Sequence, residues 1–182
     1  MAEDKIIAAF LDLLAEQPYA KLNVRTIMSH AELTRTVFYE YFDNKDDLAR
    51  VTLSTLLEGV ILRASKVFTP NRTMNTATTL ASLQVLRDHR HEIRLLFAVQ
   101  QGEVHLRAEF QQQVANLIRA QVQQYWPQTP ARKVDYFAQL FASSMITTIL
   151  WFFQHEDATE AEVVAAIDTC VFQGMSGLLT QS

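Results

Sequence analysis

The sequence predicts an all-α fold, and three observations carry that prediction. Apolar residues recur at three- and four-residue spacing through most of the chain, the period of a helix with one buried face. Gly and Pro number only four each in 182 residues, too few for the turns of a β-rich or disordered chain. With 49% hydrophobic residues, the length suffices to bury the core of one large domain or two small ones.

The elements follow in order. Helix 1 is expected over 3–16, with Ile6, Ile7, Phe10, Leu11 and Leu14 on one face and Pro18 beyond its end. Asn23 is a good N-cap for helix 2 over 24–31, since its side chain can accept from the free amides of the first turn. Glu32 and Leu33 make a tight turn, and Thr34 caps helix 3 over 35–41. Asp43 or Asn44 caps helix 4 over 44–66, where Asp46 and Asp47 suit the positive end of the helix dipole. Residues 67–79, with Pro70 and several Asn and Thr, read as a linker. Helices 5, 6 and 7 are expected over 80–88, 91–100 and 103–125. Pro127 and Pro130 punctuate the loop before helix 8 over 132–155. Thr159 with Glu162 forms a capping box for helix 9, which reaches about 179.

Two short helices joined by a tight turn, a terminal aromatic cluster and a lysine opening the next helix lie between Leu22 and Lys45. That is the layout of a helix-turn-helix, whose second helix enters the DNA major groove. The segment Leu33-Thr34-Arg35-Thr36-Val37-Phe38-Tyr39-Glu40-Tyr41-Phe42, followed by Asn44-Lys45 and preceded by Val24-Arg25-Thr26-Ile27-Met28, resembles the DNA-binding domain of the TetR family of bacterial transcriptional regulators. The resemblance implies a three-helix DNA-binding domain over 1–48, joined by helix 4 to a C-terminal ligand-binding and dimerisation domain over 49–182. It departs from the family pattern in three places. Glu32 stands where glycine is usual and must take a strained backbone; Tyr41 replaces a common histidine; and the N-terminal arm is acidic rather than basic.

Within that frame, Arg35 is placed to fork onto O6 and N7 of guanine, and Thr36 to touch a base edge or methyl group. Thr34, Tyr39, Tyr41, Arg25 and Lys45 are the expected phosphate contacts, Lys45 acting together with the first-turn amides of helix 4. Phe38 and Phe42 read as core, and Val37 as either core or a thymine-methyl contact. Charge runs against this picture: residues 1–50 hold six basic residues against nine acidic ones, so positive charge has to be concentrated locally.

Catalysis and cofactors are not expected. The chain has no HExxH, no CxxC and no phosphate-cradling glycine loop, and His89, His91 and Glu92 do not share a helix face. Cys170, the single cysteine, reads as a small core residue of a reducing compartment. No signal peptide opens the chain and no uninterrupted apolar run reaches membrane-spanning length, so a soluble cytoplasmic protein is expected.

Helix 8 is apolar on most of its circumference: Val134, Phe137, Ala138, Phe141, Met145, Ile149 and Phe152 form one face, which Leu140, Ile146, Leu150 and Trp151 widen. Such a helix buries more than one face. The resemblance makes helices 8 and 9 a four-helix homodimer interface, with Gly174 and Gly177 permitting close approach. It also implies a palindromic double-stranded DNA operator and repression relieved by a small effector. Phe97, Phe110, Trp126, Phe141, Met145 and Trp151 are the residues expected to line an apolar effector pocket, plain core packing being the other account of each. The alternative function is a helical interaction module or coactivator that has lost DNA binding.

Overall fold

The computed structural model describes residues 1–64, 66–69, 71 and 73–174. Among the described residues the chain is helical nearly throughout, with one two-stranded hairpin. It divides into two compact units, the first built from Met1–Leu56 and His91–Arg107, the second from Leu57–Arg90 and the described chain from Ala108 onward.

In the first unit α1 (Ala2–Glu16) buries Ile6, Phe10 and Leu14 as predicted, together with Ala9 and Leu13, while Ile7 and Leu11 at the edge of that face are half-buried. A short 3₁₀ turn (Tyr19–Lys21) follows Pro18 and buries Tyr19, whose ring meets Phe10 edge-on at 6.2 Å. Then come α2 (Val24–His30) and α3 (Arg35–Phe38), and α4 (Lys45–Ala64) opens on Asn44, whose Oδ1 accepts from the amides of Asp46 and Asp47 at 2.9 and 3.0 Å. Asn44 is therefore the cap. α4 starts in this unit and ends in the second.

The first unit also takes in a later stretch: all of α6 (Arg90–Phe97) but its first residue, then β1 (Gln100–Gln101) and β2 (Val104–His105), paired antiparallel around Gly102. The expectation here was helix to residue 100 and again from 103. Gly102 sits at φ 58°, a left-handed conformation that glycine adopts without cost, and it turns the chain into a hairpin. Gln100 and Gln101 favour helices only weakly enough for that turn to win.

The second unit holds α5 (Thr76–Asp88), α7 (Leu106–Tyr125, from Ala108 onward), α8 (Ala131–Gln154) and α9 (Glu160–Ala166), which continues as a π-helical stretch, Ile167–Gln173. Thr159 caps α9 with the expected box, its hydroxyl taking the Glu162 amide while Glu162 takes the Thr159 amide at 2.8 Å. The last part of the predicted ninth helix, including Gly177, lies outside the described residues. Gly174 closes the described chain with helical backbone angles.

The segment expected to be a linker is not one. Val67, Phe68 and Met74 are buried, Phe68 bridges to Met74, and Asn75 caps α5 four residues earlier than predicted. Phe68 is the hub of an aromatic cluster, with ring centroids 5.0 Å from Phe141 and Phe172, 5.7 Å from Phe137 and 6.3 Å from Trp126. Polar neighbours hid the three apolar anchors, Val67, Phe68 and Met74, from the periodicity argument. Salt links join elements of this unit: Arg87 pairs with Glu160, caps Ala158 O at 2.7 Å and lies over the Phe152 ring, while Arg119 meets Asp135 at 2.6 Å.

α8 buries Val134, Phe137, Ala138, Phe141, Ala142, Ile146, Ile149, Phe152 and Phe153. By length and mean hydropathy it is apolar enough to cross a bilayer, against the sequence-based expectation. Ser143, Ser144, Thr147 and Thr148 interrupt the apolar run without lowering the average much, which is why counting consecutive residues missed it. Its buried residues are those of a core helix. Cys170 is a second correction: it is exposed on the π-helical stretch, because the wider turn shifts the face expected from an α-helical period.

Candidate DNA-binding interface and effector cavity

The helix pair is fixed by local chemistry. Asn23 Oδ1 accepts the Thr26 amide at 3.0 Å and Thr26 Oγ1 accepts the Asn23 amide at 3.2 Å, a reciprocal cap that starts α2 where the sequence predicts. Ile27 and Met28 then face the core. The turn passes through Glu32 at φ 56°, the left-handed position at which a glycine was missing, and the Leu33 amide returns to Met28 O at 3.0 Å. α3 is a single turn, shorter than predicted. The amides of Glu40 and Tyr41 still bond back to Val37 O and Phe38 O, so the chain to Tyr41 stays tightly wound. Phe38 and Phe42, rings 5.5 Å apart, plug the unit and hold this turn in place.

With the phenylalanines buried, the polar residues between them face outward. Arg35 and Thr36 are exposed, as is Arg25 near the start of α2, and the three side chains make no hydrogen bond or ion pair among the described residues. Tyr39 is 56% exposed and Tyr41 41% exposed, their rings packed against Phe38 and Phe42 respectively. Thr34 occupies the N-cap position of α3, but its hydroxyl makes no capping bond. Val37 is half-buried.

Lys45 is placed differently. Its ammonium donates to Tyr19 O at 2.9 Å and Leu22 O at 3.0 Å and lies 4.0 Å from the Tyr19 ring centre. Burial lowers its pKa from the ordinary lysine value, and the neighbouring Asp46 carboxylate partly opposes that. Lys45 thus ties the first turn of α4 to the 3₁₀ turn, and Asn44 already satisfies two of the helix amides there. Several acids of this unit are used internally: Asp46 accepts from the Tyr19 hydroxyl, Asp47 from the Asp43 amide at 3.0 Å, and Asp12 lies 3.5 Å from His30.

Residues 6–51 match the model of the bacterial regulatory proteins of the tetR family. That stretch holds α1 to α3 and the start of α4, so the helix-turn-helix is the part of this chain that the tetR-family model describes. Solved structures extend the likeness of fold over the whole chain. A transcriptional regulator from Rhodococcus sp. Rha1 aligns with a TM-score of 0.60 at 19% identity, over 96% of this chain and 97% of that one. The fatty acid degradation regulator FadR from Bacillus halodurans gives 0.59 at 15% identity, over 100% and 97%. The TetR-family repressor AlkX from Dietzia sp. strain DQ12-45-1b gives 0.54 at 14%, over 99% of each chain. No curated protein matches the chain by sequence. The protein is a DNA-binding transcriptional regulator.

In the second unit an apolar cavity of about 30 Å³ lies among α4, α5, α7 and α8. Of the residues expected at an effector pocket, Phe110, Phe141 and Met145 line it. The others are elsewhere: Phe97 is buried in the first unit, Trp126 packs on Phe68, and Trp151 is 46% exposed and stacked on His155 at 4.2 Å. Sequence reasoning missed the polar side of the cavity, formed by Arg63, Thr78, Thr79 and Ser82. One signal was available: a glycine inside a long helix with an arginine four residues on, Gly59 and Arg63. The first unit has its own open groove of about 500 Å³, between the end of α1 and residues 95–101.

Proposed function

We propose that this regulator is a homodimeric, sequence-specific repressor that reads a palindromic operator and is released by a small apolar effector. The observation that carries DNA reading is the pairing of a buried Phe38–Phe42 plug with exposed, uncommitted Arg35 and Thr36 on the turn it holds rigid. Arg35 and Thr36 would meet base edges. Arg25, Thr34, Tyr39 and Tyr41 would meet phosphates, and Lys45 would offer its remaining N–H to one beside the start of α4. Residues 1–48 carry this surface, and residues 49–182 carry dimerisation and effector binding. The chain works by binding and not by catalysis, in the cytoplasm where the DNA is.

Support for the homodimer comes from α8. Tyr136, Leu140 and Trp151 are 61%, 37% and 46% exposed, four and eleven residues apart, so they fall on one stripe opposite the buried face. Two such stripes, with the α9 stretch beside them, would cover each other about a two-fold axis.

The effector reading needs the cavity to open. At about 30 Å³ it has room for about two water molecules, against roughly 300–1,000 Å³ for ligand sites. An effector would therefore select a state in which the walls have parted. Val60, Arg63 and Ala64 of α4 belong to those walls, so opening would shift the far end of the helix whose first turn Lys45 anchors. A tenfold loss of operator affinity requires about 1.4 kcal/mol of preference for that state.

Selection of bound sequences from a random DNA pool tests the reading. The wild-type dimer should enrich a palindrome, and Arg35→Ala should lose preference at one position per half-site, about 1–3 kcal/mol of discrimination. A pool that emerges unenriched at low salt would leave a helical interaction module as the better account.

A further inference from the structure

We propose that the effector of this protein is an amphipathic anion, a molecule with a carboxylate-like head and a hydrocarbon tail, and that Arg63 receives the head. The inference rests on the effector reading above and names its chemistry. The cavity wall is divided. Apolar side chains including Val114, Ile118, Phe141 and Ile149 form most of it, while Arg63, Thr78, Thr79 and Ser82 gather on the side of α4 and α5.

A guanidinium at an apolar cavity is costly unless a charge or several acceptors meet it. Arg63 is half-buried, and its hydrogen bond among the described residues runs from Nη1 to Gly59 O at 2.8 Å. No carboxylate pairs with it among those residues, whereas Arg87, Arg90 and Arg119 of the same unit all have one. With five N–H groups in a planar fork, it keeps donors for a two-oxygen acceptor.

The guanidinium folds back over its own helix, onto Gly59 O. A Cβ on Gly59 would stand 2.6 Å from Arg63 Nη1, so a larger residue there would make the guanidinium swing aside from the position it takes over Gly59. On α5, the hydroxyls of Thr79 and Ser82 donate to Asn75 O and Thr78 O at 3.0 Å each. Their protons are thereby committed, which leaves Arg63 as the donor for an anionic head, and the remaining wall offers a tail only apolar contact.

Titration calorimetry and thermal shift on the full-length protein test this, with octanoate and 1-octanol as matched probes. Octanoate is expected to bind wild type at least about tenfold more tightly than octanol and to raise the melting temperature, in keeping with a charge-assisted bidentate pair. Arg63→Met should remove that preference and leave octanol binding within about twofold. Arg63→Lys, which keeps charge but not the fork, should fall between them, and it serves as the reading should Arg63→Met fail to fold. If octanol matches octanoate on wild type, or if neither substitution changes octanoate binding, the head-group assignment falls while the effector cavity stands. If neither probe binds and an Ile118→Trp substitution that fills the cavity leaves operator release by cell extract intact, the cavity itself falls and the assignment with it.

Discussion

The two units of this chain solve opposite problems. In the first, short elements are pinned by polar punctuation, and the side chains left over for a partner stand outside: Arg25, Arg35, Thr36 and Tyr39 are exposed over a buried Phe38 and Phe42. In the second, long apolar helices enclose a narrow cavity with one guanidinium at its edge, the surface proposed above for an effector. Rigid display suits a DNA duplex, whose groove has a fixed shape. A closed cavity suits a switch, because filling it requires a different packing. The difference teaches where information sits: in residue identity for the first unit, in packing for the second.

Substitutions can break or sharpen that contrast. The largest effect is expected from Phe38→Ala, which empties the plug of the first unit and should cost about 3–5 kcal/mol. Calorimetry should show the first unit melting early while the second keeps its transition; a single shared transition shifted as one would show that the units do not fold separately.

Next is Leu140→Arg on the exposed stripe of α8. Burying an unpaired charge between subunits costs several kcal/mol, so sedimentation should find monomer where wild type is dimer, with helical content unchanged. Wild type sedimenting as a monomer at micromolar concentration would rule out the interface.

Lys45→Met should act on both counts in the first unit. Losing the donor to Tyr19 O and Leu22 O should cost about 1–2 kcal/mol of stability, and losing the cation should lower the salt dependence of DNA binding by about one unit. A fall in melting temperature with an unchanged salt slope would make Lys45 a clamp alone.

The smallest effect belongs to Glu160. Its own backbone amide, and then Arg87, hold its pKa below the usual carboxylate value. The stabilisation is therefore present above pH of about 4.5 and is lost as pH falls through the lowered folded value. The melting-temperature gap between wild type and Glu160→Gln should be widest near neutrality and close in acid; a gap independent of pH would mean that packing, not charge, is responsible.

The same division explains what the sequence made legible. The Asn23 cap, the Glu32 turn, the exposed Arg35 and the core phenylalanines follow from rules that act within four or five residues. The cavity does not, since it is space left between helices that meet from distant parts of the chain. Phe97 and Trp151 satisfied the composition of a pocket residue, yet one packs in the first unit and the other stacks on His155 in solvent. Phe68 and the hairpin at Gly102 were lost for related reasons: three buried residues among polar ones carry no period, and a single glycine outweighed the helix preference of its glutamine neighbours.

Glu32 bears on how this regulator could change over generations. A non-glycine residue held at φ 56° keeps the turn at a standing cost of about 1 kcal/mol, in a domain whose whole margin is of order 5–15 kcal/mol. That cost is reserve. A lineage moving to a hotter niche could recover it in one step by returning glycine to the position, without touching a base contact or the cavity. Until then the reserve is spent, and other changes in this unit have that much less destabilisation to tolerate before the fold gives way.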